Sequence, residues 1–439
     1  MRVGSSRPRG ATRPPAAYAA GGRVALRLAP NVYIAQTQPG FEGIAWSEIA
    51  ARFAALGREA ASGGLTPQRS HPGQSIAVAP AVGGRHGDGL LGSGGAAAAQ
   101  RRRGEFARAA RELARRTVPD RAGMTIFSAP RPDPLRLIRS AEDIFAIVGY
   151  RHSVKRGADM LDRVRQVARE APYVDHALDA HVRITPGSHA GRRLNFRVVA
   201  RMTGEQDFRR VDVERAVARG ITERGDHRWR PSEDAADVEF WATMLEDELI
   251  IALRLSDERM RHREYKVAHL PGSLRPSVAA ALAWLSEPDT DDVVLDPMCG
   301  TGTVLIERAH LGRHRLLIGS DRDSEALEAA QANVGPRYKP IELHPWDATA
   351  LPLDDSSVSK IITNLPWGIK HGSHGDNRRL YPRMFEEFKR VIRKGGLIVM
   401  LTAETGLMSE LARRGVLRTE KILRVSILGA PAAVYVCRH

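Results

Sequence analysis

The chain has 439 residues, 43% of them hydrophobic and 27% charged, and its 66 Lys and Arg outnumber 51 Asp and Glu for a formal charge of +15. That length predicts two or three domains, each able to bury a core. Two cysteines, Cys299 and Cys437, are too few for a disulfide framework or a thiolate zinc centre, and no run of about 18 apolar residues offers a membrane-spanning helix. The positive excess would attract a phosphate backbone, although an Arg- and Ala-rich composition raises the charge by itself and much of the excess lies in tails. The first thirty residues lack the apolar stretch of a secretory signal, so a cytoplasmic location is expected.

Residues 1–30 hold turn-formers and charge without hydrophobic periodicity and are expected to be a disordered basic tail. VYIAQT then alternates like a strand, and FEGIAWSEIAARFAAL has helical spacing. Between about 58 and 104 the composition collapses into Gly, Ala, Ser and Pro, ending in Arg101, Arg102 and Arg103, as in an insertion or linker. FARAARELARR predicts a helix, TIFSAP a strand, and LRLIRSAEDIFAIVGYRH a helix running into a strand. MLDRVRQVAREA predicts a helix, ALDAHVRIT and LNFRVVARM strands, and VDVERAVARGITERG a helix. VEFWATMLEDELIIALRLS predicts two adjoining strands. This middle part therefore reads as α+β.

From SLRPSVAAALAWLSE onward, solid apolar strands alternate with helices: DVVLD, RLLIGSD, PIELHPWD, KIITN, GLIVMLT, ILRVSIL and AVYVCR. Such strands predict a mostly parallel sheet covered on both faces, with the last pair, joined by GAPA, forming an antiparallel edge hairpin.

Within VVLDPMCGTGTVLIERA a strand ends in Asp296, Gly300 and Gly302 allow a tight turn, and a helix starts near Thr303. Glycines let the backbone approach a ligand, and the helix start offers unpaired N–H groups. The string is neither GxGxxG nor GxxxxGK[ST], so it indicates neither NAD nor ATP. About 20 residues on, Asp321 ends the next strand, placed to accept from the ribose hydroxyls of an adenosine-containing cofactor, while Asp323 and Ser324 suit a helix cap. Asp347 fits either an acceptor for an adenine amino group or a turn. KIITNLPWGIK puts Asn364, Leu365, Pro366 and Trp367 at the tip of the fourth strand, where two carbonyl oxygens can accept from an NH₂ group and the indole offers a stacking face.

DPMCGTGT and NLPW together resemble the class I methyltransferases that methylate exocyclic nitrogens, with Leu365 standing where Pro is commonest. With SDRD, the set most closely resembles the THUMP-domain RNA methyltransferases, particularly the branch that makes N2-methylguanosine in tRNA. PGFEGIAWSEI, NFRVVARMTGEQDFRRVDVERAVARGI and REYKVAHLPGSLRPSVAAALAWL carry the looser part of that likeness. The resemblance implies an α/β Rossmann-like domain over 257–439 with a seven-stranded, mostly parallel sheet, preceded by a ferredoxin-like domain over 31–150 and a THUMP domain over 151–256. It implies S-adenosylmethionine as cofactor, held by Leu274, Arg275, Asp296, Met298, Cys299, Gly300, Thr301, Gly302, Thr303, Asp321, Arg322, Asp347, Ala348 and Asn364. Asn364, Leu365, Pro366 and Trp367 would act on the guanosine N2 of a tRNA, in its acceptor stem, and Arg193, Arg201, Arg209, Arg210, Arg228 and Arg230 would contact the RNA. A monomer or weak homo-oligomer is expected, with no membrane partner.

Two features invite other readings. HGSHGD, from His371 to Asp376, suggests a metal site but lacks a third ligand, so no metal is expected. Cys299 evokes a nucleophile, yet it sits in the cofactor loop, where packing is its expected part. The rival activities are a 23S rRNA guanine-N2 methyltransferase, a DNA adenine-N6 methyltransferase and a glutamine-amide protein methyltransferase. A non-catalytic RNA-binding adaptor with a vestigial methyltransferase fold is the rival from another class.

Overall fold

The structure, a computed structural model, describes residues 25–61, 110–119, 121–154, 157–185, 187–188, 191, 193–205, 207–338, 340–368, 373–416 and 418–439. Most of the expected basic tail and low-complexity insertion, with Arg101 to Arg103, and also His371, lie outside those residues.

Strands β1 (Val32–Thr37), β2 (Arg111–Val118), β3 (Ala122–Ser128), β4 (Asp143–Arg151), β5 (Arg193–Thr203), β6 (Arg228–Pro231), β7 (Val238–Leu245) and β8 (Glu248–Arg254) build one eight-stranded sheet in the order β2-β3-β1-β4-β8-β7-β5-β6. Antiparallel pairing of β4 with β8 carries the sheet across the middle of this half, so the α+β segments share one hydrogen-bonded layer. Helices α1 (Glu42–Ala61), α2 (Met160–Arg169), α3 (Val174–Ile184) and α4 (Arg210–Thr222) contribute to its core, where Ile49, Val164, Leu178 and Val217 join Phe127, Phe196 and Phe240 from the strands. A short helix α5 (Glu258–His262) follows.

Three local expectations are corrected here. The described part of FARAARELARR lies in β2, whose alternating exposure and pairing with β3 override its helix-forming composition. The segment ALDAHVRIT is helix α3: Val174, Ala177, Leu178 and His181 recur at helical spacing and are buried together. The expected helix in LRLIRSAED shrinks to a 3₁₀ turn at Asp133–Leu137, begun at Pro132 and Pro134.

The carboxyl half is a second sheet, made of β9 (Val293–Asp296), β10 (Leu316–Ser320), β11 (Ile341–His344), β12 (Val358–Asn364), β13 (Ile392–Thr402), β14 (Thr419–Ile427) and β15 (Ala430–Arg438). Its order is β11-β10-β9-β12-β13-β15-β14, parallel except for β15, which runs antiparallel to both neighbours. The central strands β9, β10 and β12 and most of β13 are buried because helices cover both faces, whereas β14 at the edge is largely exposed. Helices α6 (Pro276–Leu285), α7 (Thr303–His310) and α8 (Ser324–Val334) meet Ile362, Val399 and Leu401. On the opposite face, α9 (His374–Val391) and α10 (Thr405–Arg413) set Tyr381, Phe385, Phe388 and Leu411 against Ile361, Ile398 and Met400. Among the described residues no helix is long and apolar enough to cross a membrane.

The halves are joined by packing and by buried charge. Phe41 and Ile44 enter the carboxyl-terminal core, and Ser426 N donates to Pro39 O at 3.0 Å. Glu307, fully buried on α7, accepts from Arg139 Nε at 2.6 Å and Nη2 at 3.0 Å and from the Tyr265 hydroxyl at 2.8 Å. Burial alone would raise the Glu307 pKa; Arg139 and Arg263 outweigh it and hold the carboxylate below its ordinary range. Arg139→Met leaves that carboxylate without its bidentate partner, and the expected cost is about 3–5 kcal/mol of stability in urea unfolding.

Candidate active site

Chain order in the second sheet runs outward from β9 through β10 to β11, then crosses back to β12 and outward to β13. The order therefore reverses between β9 and β12, and in such sheets ligands bind at the carboxyl ends of the strands beside that reversal. Asp296 ends β9, Asp321 follows β10, Asp347 follows β11 and Asn364 ends β12, so the fold brings all four expected acceptors to one edge.

The loop after β9 turns through Gly300 and Gly302, at φ of 50° and 72°, which only glycine adopts without strain. A Cβ built on Gly300 meets nothing within 4 Å, so its backbone borders open space. Gly300 N donates to Asp321 Oδ2 at 3.0 Å, while Asp323 N donates to Asp321 Oδ1 at 3.1 Å. Asp321 is thereby pinned between the loop and the start of α8, and Asp323 caps that helix through Glu325 N, as the sequence predicts. Cys299 N donates to Ser320 O at 2.9 Å, and Thr301 and Thr303 share a hydroxyl contact of 3.1 Å.

Asp296 is fully buried and accepts from Met298 N at 3.4 Å. Burial, with the nearby Asp321 charge, pushes its pKa up to about 7. The same burial, with Asp296 and Asp321 beside it, drives the Cys299 thiol well above its usual pKa, which is the opposite of a nucleophile's setting. Asp347 Oδ1 accepts from Thr349 N and Oγ1, both at 2.8 Å, and Oδ2 lies 3.6 Å from Arg322 Nη1. Burial pushes this carboxyl up, but those bonds and Arg322 bring it below its usual range. Asp347 thus closes a turn while standing at the edge of the cleft; Ala348 beside it is buried and Arg322 is exposed.

At the tip of β12, Trp367 Nε1 donates to Asn364 Oδ1 at 3.1 Å. An indole nitrogen only donates, so this bond fixes which end of the carboxamide faces it. Leu365 is buried with its N–H on Leu401 O at 2.9 Å, which keeps the β12–β13 register one residue past the strand. The Pro366 carbonyl accepts from Asn377 Nδ2 at 3.0 Å and from the Tyr381 hydroxyl at 2.7 Å. Asn377 Nδ2 also donates to the buried Glu404, which takes His374 Nδ1 at 2.6 Å. These braces went unread in the sequence. The available signal was Asn377 and Tyr381 four residues apart in a helix opened by the Ser373–Asp376 capping box.

Other expected residues fall elsewhere. Leu274 contributes its carbonyl to Lys266 Nζ at 2.7 Å, and burial lowers the pKa of that amine to about 8. Arg275 donates to Glu142 at 2.8 Å and so joins the two halves. Arg193, Arg228 and Arg230 are exposed along the β5–β6 edge, and Arg209 and Arg210 at the start of α4. Arg201 departs from the expected surface set: it donates to Gln36 at 2.5 Å, lies 4.2 Å over the Trp241 ring, and burial lowers its pKa to about 10. Among the described residues no three His, Cys, Asp or Glu side chains cluster as metal ligands.

Residues 263–431 match the family described as "UPF0020: RMKL-like, methyltransferase domain". This segment is thus similar to a methyltransferase domain. The chain is 32% identical over 262 residues to the tRNA (guanine(6)-N(2))-methyltransferase THUMP3 of Mus musculus, covering 56% of this chain and 51% of that protein. It is 26% identical over 260 residues to the tRNA (guanine(6)-N2)-methyltransferase of Methanocaldococcus jannaschii, covering 49% and 68%. The chain thus spans about half the length of the mammalian relatives it matches. Its fold extends further: the crystal structure of TrmN from Thermus thermophilus superposes with a TM-score of 0.64 over 93% of this chain and 99% of that one, at 21% identity. The folds of the amino-terminal sheet and of the carboxyl-terminal sheet are therefore both shared with that structure.

Two outcomes follow from this geometry. Asp296 binds its proton more tightly folded than unfolded, so the stability it confers is present at low pH and declines between about pH 4 and 7. In Asp296→Asn that decline should vanish, so the variant gains on wild type in urea unfolding as pH rises through this window. Tyr381→Phe removes one of two donors to the Pro366 carbonyl, and turnover is expected to fall about tenfold with cofactor affinity kept.

Proposed function

We propose that this chain is an S-adenosylmethionine-dependent methyltransferase that transfers a methyl group to the N2 amino group of a guanosine in tRNA. The observation that carries the proposal is Asn364 standing at the tip of β12, across the strand-order reversal from the Gly300 loop, with its carboxamide oriented by Trp367. The names of the mouse and Methanocaldococcus jannaschii relatives, both guanine-N2 methyltransferases of tRNA, support the same substrate.

The residues suit this cofactor. Asp321 keeps lone pairs beyond its two backbone donors for ribose hydroxyls, and the Gly300 backbone faces open space where a side chain would intrude. Asp296, Met298 to Thr303, Arg322 and the Asp347–Ala348 turn would complete the pocket. S-adenosylmethionine supplies an electrophilic methyl group on its sulfonium. The protein's part is to position the amine. Asn364 Oδ1 has a second lone pair beside the one Trp367 uses, and it would accept from the amino group, aiming the nitrogen's own lone pair at the methyl carbon. The Trp367 ring would support the base. The amino-terminal sheet would act as a ferredoxin-like and THUMP unit, meeting the acceptor stem through Arg193, Arg209, Arg210, Arg228 and Arg230.

Nucleoside mass spectrometry on unmodified tRNA, incubated with the protein and methyl-labelled S-adenosylmethionine, tests this directly. Label is expected in N2-methylguanosine; label in another nucleoside sinks the guanine assignment, and none in tRNA or rRNA sinks the RNA substrate. Asn364→Ala should lose about 100-fold in turnover while tRNA binding persists, which an adaptor's function would not register. Asp321→Ala should abolish binding of the cofactor, and unaltered affinity in calorimetry removes Asp321 from the site.

A further inference from the structure

Residues 265–275 form a strap that leads from the amino-terminal half into α6 and lies against the glycine loop. Its start is held by the Tyr265 hydroxyl on Glu307, and its end by Arg275 on Glu142. Between them, Lys266 Nζ folds back to Leu274 O, and Ser273 Oγ lies 3.5 Å from Thr301 Oγ1. The junction itself is made by one side chain from another element. Asn333, near the end of α8, is 3% exposed. Its Oδ1 accepts from Ala268 N at 2.8 Å, and its Nδ2 donates to Ala268 O at 3.1 Å and to Thr301 O at 3.0 Å.

These partners fix the amide's orientation. Reversed, the NH₂ would face an N–H and the oxygen would face two carbonyls. Thr301 stands between Gly300 and Gly302, so the bond to its carbonyl sets the tilt of the Thr301–Gly302 peptide. The two bonds to Ala268 mimic a strand pairing and set how closely the strap lies on that loop. Hydrophobic packing cannot substitute at Thr301, whose carbonyl would otherwise be buried unpaired.

We infer that Asn333 is a positioning residue for the S-adenosylmethionine site: it clamps the strap to the glycine loop and so holds the loop backbone in the shape the cofactor meets. The inference rests on the reading of that loop as the cofactor site.

Asn333→Asp tests it, because the substitution keeps the shape and exchanges the donor for an acceptor. Ionised, the new carboxylate faces the Ala268 and Thr301 carbonyls with nothing to donate, so the strap lifts. Protonated, it donates to one of them again. Burial raises the pKa of such a group, so the defect should be greatest near about pH 8 and shrink as pH falls to about 6. Calorimetry should show the Kd for S-adenosylmethionine about tenfold above wild type at the higher pH, with the ratio to wild type falling at the lower pH. Affinity for tRNA should stay unchanged.

A variant that binds the cofactor like wild type at both pH values overturns the inference. So does a loss that is independent of pH and equal for cofactor and tRNA, which marks a purely structural residue. If the variant does not fold, hydrogen exchange on the wild-type chain decides. The Ala268 amide should be protected and should slow further with S-adenosylmethionine bound; exchange unaffected by the cofactor overturns the inference. Wild-type protein that binds no S-adenosylmethionine overturns the functional reading together with this one, whereas intact wild-type binding that Asn333→Asp leaves untouched overturns only the part given to Asn333.

Discussion

The pairing of β9 on both sides, with β10 and with β12, is the constraint on which the site depends. A strand flanked by two parallel neighbours whose connections leave in opposite directions must open a crevice at its carboxyl end. Into that crevice the chain places Asp296, the Gly300 loop and Asn364, and none of them needs a long or flexible side chain to get there. Burial then differentiates the carboxylates. Asp296 sits without a cation and holds its proton to about pH 7, whereas Asp321, a short distance away, is bound by two backbone N–H groups. Two carboxylates at one edge thus stand in different surroundings, one buried and one held by backbone N–H groups.

The carboxyl half was almost entirely legible in the sequence. Its central strands are apolar runs because both faces of the sheet are covered there, and such runs are hard to mistake for amphipathic surface helices. The amino half was less so. FARAARELARR and ALDAHVRIT were each read as the opposite element: the described part of the first lies in an edge strand stabilised by β3 and not by its own propensity, and the second belongs to a helix whose buried stripe begins at Val174. The continuity of the eight-stranded sheet was also invisible, because β4 and β8 pair across about 100 residues and no local pattern announces such a partner.

The candidate site was legible where chemistry is carried by motif residues and illegible where it is carried by support. Asp296, Asp321 and Asn364 stand at or just past strand ends, and Gly300 and Gly302 in the turn between β9 and α7. Asn377, Tyr381, Glu404 and Asn333 came only with the coordinates, since each acts on a backbone carbonyl or a neighbouring side chain brought close by the fold. Arg201 and Arg275 show the converse limit: a guanidinium expected to meet RNA is committed to Gln36 and Trp241, and one expected at the cofactor is committed to Glu142.

The placement of β15 has a consequence for how this domain is made. It is the final strand described, yet it lies between β13 and β14 and supplies every pairing that β14 has in the sheet. A polypeptide interrupted before Ala430 would leave β13 as a long apolar edge and β14 with nothing to join. Exposed edges of that kind recruit other chains. Loss of β15 would thus favour aggregation over a merely weakened domain, which makes Ala430–Arg438 a segment on which the integrity of this sheet depends.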